Sequence, residues 1–400
     1  MTMTETTGKA LLVAPKDASA PAAQQIVEVA RRFGVSPVRQ LRERLALKFG
    51  PARLDGPEYY ANGLYDPAIS PEAKKEYVGI KGSYQINVAC SPMELTLARA
   101  TLRDKVMYTA LLRQLGLPTT RTQAVAHATR HFGAIPALSD TAAVCDFLMH
   151  RARYPLFGKP CEGEASVGSV MIRSLDAGAR TLRLANGRDI DLDAFAREIF
   201  TDYPEGFIFQ DTVRQDPALV AFTGDAVGTM RVVTLRDQDR ARVLYAVWKV
   251  PSPTAMSDNF WQAGSMVAQV DAETGRVGPC WKGTGLNGGW IETHPVSGLR
   301  FEGFRVPHWA QVRDVAERGH QLFPEFGIVG WDIAVGPDGP VIIECNDNPY
   351  HVLWQLANRR GIRNAEFMPA FDEAARRSRA ILAGKVATYR ARVKAKSARG

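Results

Sequence analysis

The chain of 400 residues is longer than a single hydrophobic core usually supports, so we expect two or three subdomains. Hydrophobic residues make up 46% of it and charged residues 23%, which is typical of a globular protein. No apolar run approaches the ~20 residues that cross a bilayer, so no transmembrane helix is predicted. The first 21 residues lack a basic segment ahead of an apolar one. This argues against a signal peptide and favours a cytoplasmic protein.

The cysteines and the net charge narrow the function classes further. Five scattered cysteines without a CxxC pair argue against a disulfide framework or a zinc site. The net charge of +8 is concentrated after residue 358, where 12 Lys and Arg stand against 3 Asp and Glu. Aromatic residues do not interleave with these basic ones, which argues against a nucleic-acid surface. The tail instead predicts a solvated basic helix or a weak contact with an anionic surface. The sequence is also compatible with a homo-oligomer.

Helical periodicity dominates the first part of the chain. Two helices are predicted within residues 21–50, ended by Gly34 and Gly50. The apolar stripe of the second helix consists of Val38, Leu41, Leu45 and Phe49. A turn-rich aromatic stretch follows, and a strong helix is predicted over residues 102–115. We therefore expect a mainly helical N-terminal region over residues 1–98.

Beyond residue 120 the period of the apolar residues changes to two, which predicts strands. A short strand (122–126), a helix (141–151) and strands around a glycine-bearing loop (161–168) come first, then a helix (192–200). The further predicted elements are strands within 207–213, 230–236, 241–250 and 265–275, a helix at 309–322 and a hairpin at 328–349. Runs of strands with helices between the runs favour an α+β fold. The expected subdomains after the helical region are 99–206, 207–356 and a basic tail at 357–400.

The hairpin carries the sharpest chemical signal. If its turn is centred on Asp338, Asp332 lies directly opposite Glu344, with Asn346 on the same face. The opposite face is then expected to enter the core with Trp331, Ile333, Val335, Val341, Ile343 and Cys345. Carboxylate and amide oxygens without His or Cys favour Mg²⁺ over zinc. The alternative is a surface hairpin whose polar side chains face water.

Three basic residues accompany this hairpin. Lys159 ends an apolar strand next to the glycine-bearing loop, where an ammonium group can neutralise phosphate; an isolated lysine that extends to solvent is the alternative. Arg231 lies in an apolar strand and needs an anionic partner, and Lys249 lies in the next strand of the same series.

Other catalytic patterns lack support. The GxGxxG match at residues 283–288 is not followed by a helix, so it predicts turns rather than a dinucleotide site. The chain has no Walker lysine motif, GxSxG elbow or clear Cys/His dyad, which argues against nucleophilic catalysis.

Taken in order, these segments resemble the ATP-grasp superfamily over about residues 100–350. The matching segments are 103–120, 157–172, 207–213, 230–235 and the pattern Asp332…Glu344-x-Asn346. Segments 258–278, 294–309 and 330–346 resemble the sugar-transfer-associated ATP-grasp family. The resemblance implies an ATP-grasp fold of the α+β class, with two subdomains that hold ATP between antiparallel sheets. A helical N-terminal region and a C-terminal helix would flank them.

The resemblance also implies roles for individual residues. Lys105 and Lys159 would contact phosphates, and the backbone of residues 211–213 (Asp211 to Val213) would contact adenine. Gln210 or Asp216 would lie near the adenine and ribose. Arg231 would hold the transferring phosphate, with Lys249 as a second catalytic residue, and Asp332, Glu344 and Asn346 would bind Mg²⁺. The sequence departs from the family pattern at Gln210, where Glu is common, at Lys249, where Arg is frequent, and in the loop 161–168, which has fewer glycines.

The activity implied is that of an ATP-dependent carboxylate–amine or carboxylate–thiol ligase, working through an acyl phosphate with ATP and Mg²⁺. Its partners would be ATP, a small-molecule carboxylate and an amine acceptor, and the family's association suggests a cell-envelope or glycan precursor. A kinase of the same fold, which phosphorylates a hydroxyl, is one alternative. An inactive nucleotide-binding scaffold that docks through the basic tail is another.

Overall fold

The computed structural model describes residues 11, 22–162, 167–238, 240–252, 255–261 and 264–397. The segment tested for a signal peptide therefore lies outside the described residues except for Leu11, as do residues 163–166 of the glycine-bearing loop. Among the described residues, no helix is both long and apolar enough to cross a bilayer.

Seven helices precede the first strand: α1 (Ala22–Phe33), α2 (Pro37–Phe49), α3 (Gly56–Ala61), α4 (Pro71–Glu76), α5 (Ile80–Cys90), α6 (Arg99–Arg103) and α7 (Lys105–Gln114). The two helices predicted within residues 21–50 are confirmed as α1 and α2. Gly34, between them, has a φ of +66°, which favours glycine. The apolar stripe of α2, however, faces solvent, because the opposite face, with Gln40 and Leu47, is the one that is buried.

The single helix predicted over residues 102–115 is wrong in one respect, since the chain breaks at Asp104 between α6 and α7. The Asp104 carboxylate accepts hydrogen bonds from the backbone N–H groups of Val106 (2.9 Å) and Met107 (3.0 Å). These bonds cap the first turn of α7 and place Lys105 at its first position.

The first sheet has seven strands in the order β2-β1-β7-β3-β4-β5-β6. Its elements are β1 (Thr122–Ala126), β2 (Ala137–Leu138), α8 (Thr141–His150), β3 (Leu156–Pro160), β4 (Val170–Asp176), β5 (Thr181–Leu184), β6 (Asp189–Asp191), α9 (Leu192–Asp202) and β7 (Phe207–Asp211). Helices α8 and α9 cover one face, where Phe147, Phe195 and Phe209 pack together. Strand residues alternate between faces, so Lys159 of β3 and Gln210 of β7 lie on the other face.

The second sheet also has seven strands, in the order β12-β11-β10-β9-β8-β13-β14. Its elements are α10 (Pro217–Thr223), β8 (Thr229–Asp237), β9 (Arg240–Val250), β10 (Met266–Val270), β11 (Val277–Lys282), β12 (Gly289–Ile291), α11 (Trp309–Gln321), β13 (Ile328–Gly336), β14 (Gly339–Asn346), α12 (Val352–Asn358) and α13 (Met368–Ser397). Helix α11 packs on one face through Val312 and Ala316. Helices α5, α12 and α13 pack on part of the other face. The GxGxxG segment forms a 3₁₀ turn, as predicted.

The predicted hairpin is β13 with β14, and its register is confirmed at the site. Asp332 pairs with Glu344, and Gly330 pairs with Asn346. Nearer the turn the register differs by one residue, because Ile333 pairs with Ile342 and leaves Ile343 as a β-bulge.

This bulge corrects the predicted core face of the hairpin. Val341 and Ile343 are only half-buried, whereas Ile342 is buried in the core with Trp331 and Ile333. The prediction assumed a constant register. One extra residue in β14 reverses which residues face the core between the bulge and the turn.

Candidate functional site

A cleft lies between the open faces of the two sheets. Its apolar lining includes Phe157, Met171, Val213, Met256 and Ile343. Its charged lining includes Lys105, Lys159, Lys249, Asp332 and Glu344. Such a mixture of apolar walls and a few converging charged groups is typical of a small-molecule site.

Lys159 reaches across the cleft to the second sheet. Its Nζ donates a hydrogen bond to the carbonyl oxygen of the bulged Ile343 (3.3 Å), which also accepts one from Tyr108 Oη (3.0 Å). Burial lowers the pKa of Lys159 to about 8, and the like charge of Lys105 acts in the same direction, while Glu344 opposes it. A buried ammonium with a lowered pKa is stabilised by an anion that enters the cleft.

Asp332 is the most strongly engaged carboxylate of the site. It lies opposite Arg231 of β8, whose Nε and Nη2 donate to its two oxygens at 2.5 and 2.9 Å. Lys249 Nζ donates to Asp332 Oδ2 and also contacts Asp258 Oδ2, both at 3.0 Å. Burial alone would raise the pKa of Asp332, but Arg231 and Lys249 hold it well below its ordinary value. Asp332 is therefore ionised at neutral pH.

Glu344 has a different environment, although it lies on the neighbouring strand. Its side chain is one-third exposed (33%), and its nearest basic partner is Lys105 Nζ at 3.7 Å. Lys105 begins α7, so the positive end of that helix adds to the local potential. Glu344 thus keeps oxygen lone pairs directed at the open cleft.

The predicted magnesium ligands provide only a few oxygen atoms. In the part of the chain that the structure describes, no three His, Cys, Asp or Glu side chains cluster as an all-protein metal cage. Asp332 gives three of its lone pairs to Arg231 and Lys249, whereas Glu344 is more open. Asn346 Nδ2 is buried and has no hydrogen-bond partner among the described residues. Mg²⁺ usually takes few protein ligands and completes its shell with phosphate and water, which suits this oxygen set.

A second pocket adjoins the cleft on the other side of these carboxylates. Five residues line both cavities: Lys105, Glu162, Lys249, Asp332 and Glu344. The second pocket alone adds Arg103, Arg231, Trp261, Asn346 and Tyr350. The two cavities therefore meet at the charged groups, so that ligands in each could exchange a group there.

The loop after β14, which forms one wall of the second pocket, is held by the N-terminal helices. Asn87 of α5 donates from Nδ2 to Asn348 Oδ1 (2.7 Å) and to the Pro349 carbonyl (2.8 Å). Its Oδ1 contacts His351 Nε2 at 3.1 Å. These buried bonds fix the wall beside Asn346 from outside the two sheets.

Asp347, in the same loop, is held by charge. Arg99 of α6 donates to its carboxylate and to its carbonyl oxygen (3.2 Å), and Arg103 Nε contacts the carboxylate at 3.3 Å. Arg99 also donates to the Ser91 carbonyl at 3.1 Å, which ties the loop to the end of α5.

The structure brings most of the predicted residues together. Those that line the cleft are Lys105, Lys159, Gln210, Asp211, Val213, Lys249, Asp332 and Glu344, and those of the second pocket include Arg231 and Asn346. Gln210 is buried, and its Nε2 has no hydrogen-bond partner within the described ranges, which leaves a donor for a ligand. Asp216 is not brought to either pocket: it caps α10 and lies 3.8 Å from His308.

Several site residues lie outside the sequence prediction. Tyr108 and Thr120 are distant in sequence from the hairpin, and the Thr120 hydroxyl is buried without a partner among the described residues. Asp258 completes the Lys249 pair and accepts from Thr229 Oγ1. The alternation of β8 and β9 could have indicated Thr229 beside Lys249, since these two residues are opposite each other.

The chain can be compared with curated protein sequences, with solved structures and with sequence families. No curated protein sequence matches the chain. A D-alanine–D-alanine ligase from Coxiella burnetii is similar over 74% of this chain and 62% of its own length, at 11% identity and a TM-score of 0.42. An ATP-bound biotin carboxylase from Campylobacter jejuni is similar over 69% of this chain and 46% of its own length, at 9% identity and a TM-score of 0.41. An ATP-grasp ligase bound to its precursor peptide and AMPPNP has 16% identity and a TM-score of 0.34, over 70% of this chain and 61% of its own.

The assignment rests on the sequence family. The model of the sugar-transfer-associated ATP-grasp family matches residues 95–368, which is more than half of the chain. The match spans both sheets, the cleft between them and the start of α13. The chain therefore belongs to the sugar-transfer-associated ATP-grasp family.

Proposed function

We propose that this chain is an ATP-dependent carboxylate–amine or carboxylate–thiol ligase that forms an acyl phosphate with the help of Mg²⁺. The observation that carries the proposal is the meeting of two pockets at Lys105, Glu162, Lys249, Asp332 and Glu344. One pocket has apolar walls suited to a base, and the other has its own polar lining for a second substrate. Group transfer between two bound molecules needs this arrangement.

In the proposed complex, adenine lies against the apolar walls of the cleft. Gln210 Nε2 is the buried donor available to it, and residues 211–213 (Asp211 to Val213) supply backbone groups. The triphosphate extends toward Lys105 and Lys159. A phosphate beside Lys159 favours its charged form and offsets the burial that lowers its pKa.

The protein's contribution to phosphoryl transfer is then positioning and charge neutralisation. Arg231 holds the transferring group on the side of the second pocket, and Lys249 neutralises charge beside it. Asp332, Glu344 and Asn346 would hold Mg²⁺, which would screen the phosphate oxygens. Asp332 forms buried ion pairs with Arg231 and Lys249, and these pairs keep the side chains of Asp332, Arg231 and Lys249 in fixed positions.

Atoms balance in two steps. A substrate carboxylate oxygen forms a bond to the γ-phosphorus, the bond from that phosphorus to the bridging oxygen breaks, and ADP leaves. An amine then attacks the acyl carbon, the bond to the phosphate oxygen breaks, and the amine proton leaves with inorganic phosphate. A carboxylate nucleophile is already ionised, so the first step needs no general base. The basic lining of the second pocket by Arg103, Lys105 and Arg231 supports an anionic carboxylate substrate there.

The substrate is proposed only by class. A small metabolite or a cell-envelope or glycan precursor with a free carboxylate fits the proposal, and the family name supports the envelope or glycan precursor.

The test is a screen of carboxylates with Mg-ATP and hydroxylamine, which intercepts an acyl phosphate as a hydroxamate. We expect ADP, inorganic phosphate and hydroxamate in equal amounts with the right carboxylate. Glu344→Gln should abolish their formation, whereas Glu292→Gln, which changes an exposed carboxylate that lines neither pocket, should not. A stable phosphorylated product without phosphate release would indicate a kinase instead, and the absence of Mg-ATP binding would overturn the proposal.

A further inference from the structure

Two helices expose apolar stripes that no described element covers. The α2 stripe consists of Val38, Leu41, Leu45 and Phe49, and the α13 stripe consists of Val386, Tyr389 and Val393. Phe49 is 71% exposed and Tyr389 70% exposed. Single exposed apolar residues are ordinary on a protein surface, but rows of them along one helix face mark an interaction site.

The α2 stripe lies opposite the face that packs against the protein. Its residues are separated by three or four positions, so they share one side of the helix. Gln40 and Leu47, on the other side, are buried in the N-terminal region. The stripe is therefore not needed to hold α2 in place, and stability does not account for it.

The α13 stripe continues a face that is buried earlier in the same helix. Phe371, Ala375 and Ser378 are buried, Leu382 is half-buried, and the described side chains beyond it are exposed. The spacing of four and three residues is maintained from Leu382 to Val393. The helix thus carries its apolar face past the edge of the domain.

Basic side chains border both stripes. Exposed Arg39, Arg42 and Lys48 flank the α2 stripe. Exposed Lys385, Arg390 and Arg392 flank the α13 stripe, and the sequence has no Asp or Glu after Glu373. An apolar stripe between rows of basic residues is the pattern of helices that lie in the interface of an anionic bilayer. A second copy of this chain would instead bring like charges together.

We propose that α2 and the exposed end of α13 bind the surface of an anionic lipid bilayer, with their apolar stripes in the interface and their basic residues at the headgroups. The binding is peripheral and reversible, since each stripe is short. It is independent of the proposed ligase activity, because neither stripe contributes a residue to the two pockets.

The test is flotation of the full-length protein with vesicles of neutral lipid, or of neutral lipid with phosphatidylglycerol. We expect binding only to the anionic vesicles, weakened by salt. Two variants should each bind at least about tenfold more weakly than the wild type, since one basic residue at such a surface contributes about fivefold. The apolar-stripe variant is Leu41→Ser/Leu45→Ser/Phe49→Ser, and the basic-residue variant is Arg42→Gln/Lys48→Gln/Arg390→Gln/Arg392→Gln. The matched control is Leu97→Ser/Val296→Ser, which removes exposed apolar residues elsewhere and should bind as the wild type.

A fluorescence measurement keeps the test independent of variant stability. All five cysteines are buried, so a cysteine introduced at residue 49 or 389 is the exposed thiol for a polarity-sensitive label. We expect the emission of Phe49→Cys and Tyr389→Cys to shift to the blue with anionic vesicles, and that of Leu97→Cys to stay unchanged. The proposal would be overturned if the wild type did not bind, or if neither the apolar-stripe variant nor the basic-residue variant bound more weakly. The proposal would also be overturned if the wild type did not bind vesicles but formed an oligomer that the apolar-stripe variant dissociated. The stripes would then bind a second copy of the chain.

Discussion

Asp332 and Glu344 are paired across one hairpin but differ in burial and in partners. Asp332 is buried and accepts from two cations, whereas Glu344 is one-third exposed and has one distant ion pair. Removing the charge of a buried, paired carboxylate leaves its partners uncompensated, which is strongly destabilising. A partly exposed carboxylate that faces a cleft has little such role in stability.

The amide variants of these two residues should therefore separate stability from activity. We expect Asp332→Asn to lower the free energy of unfolding by about 3 kcal/mol or more, since Arg231 loses the charge of its buried partner and Lys249 keeps Asp258 but loses Asp332. Glu344→Gln should change it by less than ~1 kcal/mol and lower ATP turnover by ~100-fold or more. Chemical denaturation and an ADP assay measure the two quantities. Equal destabilisation by both variants would contradict the different roles assigned here.

Lys159 gives a second prediction at this scale. Its pKa of about 8, against 10.5 for a free lysine, means that the folded protein binds its proton less tightly than the unfolded chain. At pH 7 this burial opposes folding by on the order of 3 kcal/mol. We expect Lys159→Met to maintain or raise stability at pH 7 while Mg-ATP affinity falls at least about tenfold.

Lys74 provides the matched control for that substitution. It is equally buried, but it is paired with Glu43 at 2.9 Å and lies outside both pockets. Lys74→Met should lower stability and leave Mg-ATP affinity unchanged. For the wild type, the sign of the shift predicts that stability rises as the pH increases from about 8 toward 10.5, and that ATP affinity falls over the same range. Nucleotide affinity that is independent of pH between 7 and 9.5 would argue against a charged Lys159 at the phosphates.

At the level of elements, the hairpin shows how far the sequence could lead. Alternating apolar residues and a turn around Asp338 are enough to place Asp332 opposite Glu344. The bulge at Ile343 leaves no such pattern, because Val341, Ile342 and Ile343 are three apolar residues in a row and do not show which of them face the core. Yet it matters to the site, since the Ile343 carbonyl accepts from both Lys159 and Tyr108.

Contacts between elements could not be predicted from the sequence, for a related reason. Arg231 could be predicted to need an anion, but Asp332 lies 101 residues away, and its place beside β8 follows from the order of strands in the sheet. The α2 stripe illustrates the opposite error. Periodicity identifies the apolar side of a helix but not whether that side meets the core, and here Gln40 and Leu47 are buried instead.

Helix α5 is expected to act on the site through the loop after β14. Asn87→Ala removes three hydrogen bonds to residues 348–351, two of them buried, so the wall of the second pocket should loosen. We expect KM for the carboxylate substrate to rise several-fold, with Mg-ATP affinity unchanged. Asn358→Ala is the control, since its side chain donates within α12 to the Trp354 carbonyl at 2.9 Å. An equal loss of ATP affinity in Asn87→Ala would place the effect in the cleft rather than in the second pocket.

For the whole molecule, two buried histidines predict sensitivity to acid. His320 and His351 are fully buried and hydrogen-bonded on both ring nitrogens, and burial lowers the pKa of each to about 3. Below pH 6.5 the unfolded chain binds protons that the folded protein does not. As the pH falls from 6.5 to 3, each histidine therefore lowers the free energy of unfolding by about 1.4 kcal/mol for each pH unit.

Calorimetry can count these protons directly. Unfolding at pH 5, compared in buffers of different ionisation enthalpy, should take up at least about two protons per chain. Uptake of fewer than one would contradict neutral, buried histidines.

The two sheets face each other with the helical N-terminal region attached beside the second one, so the cleft and the second pocket depend on all three parts of the chain. We expect a nucleotide in the cleft to present its γ-phosphate to the second pocket. The most direct measurement is a crystal structure with Mg²⁺ and a non-hydrolysable ATP analogue. We expect the base beside Gln210, the phosphates at Lys105 and Lys159, and Mg²⁺ at Asp332, Glu344 and Asn346. A nucleotide bound elsewhere, or with its γ-phosphate turned away from Arg231 and the second pocket, would contradict it.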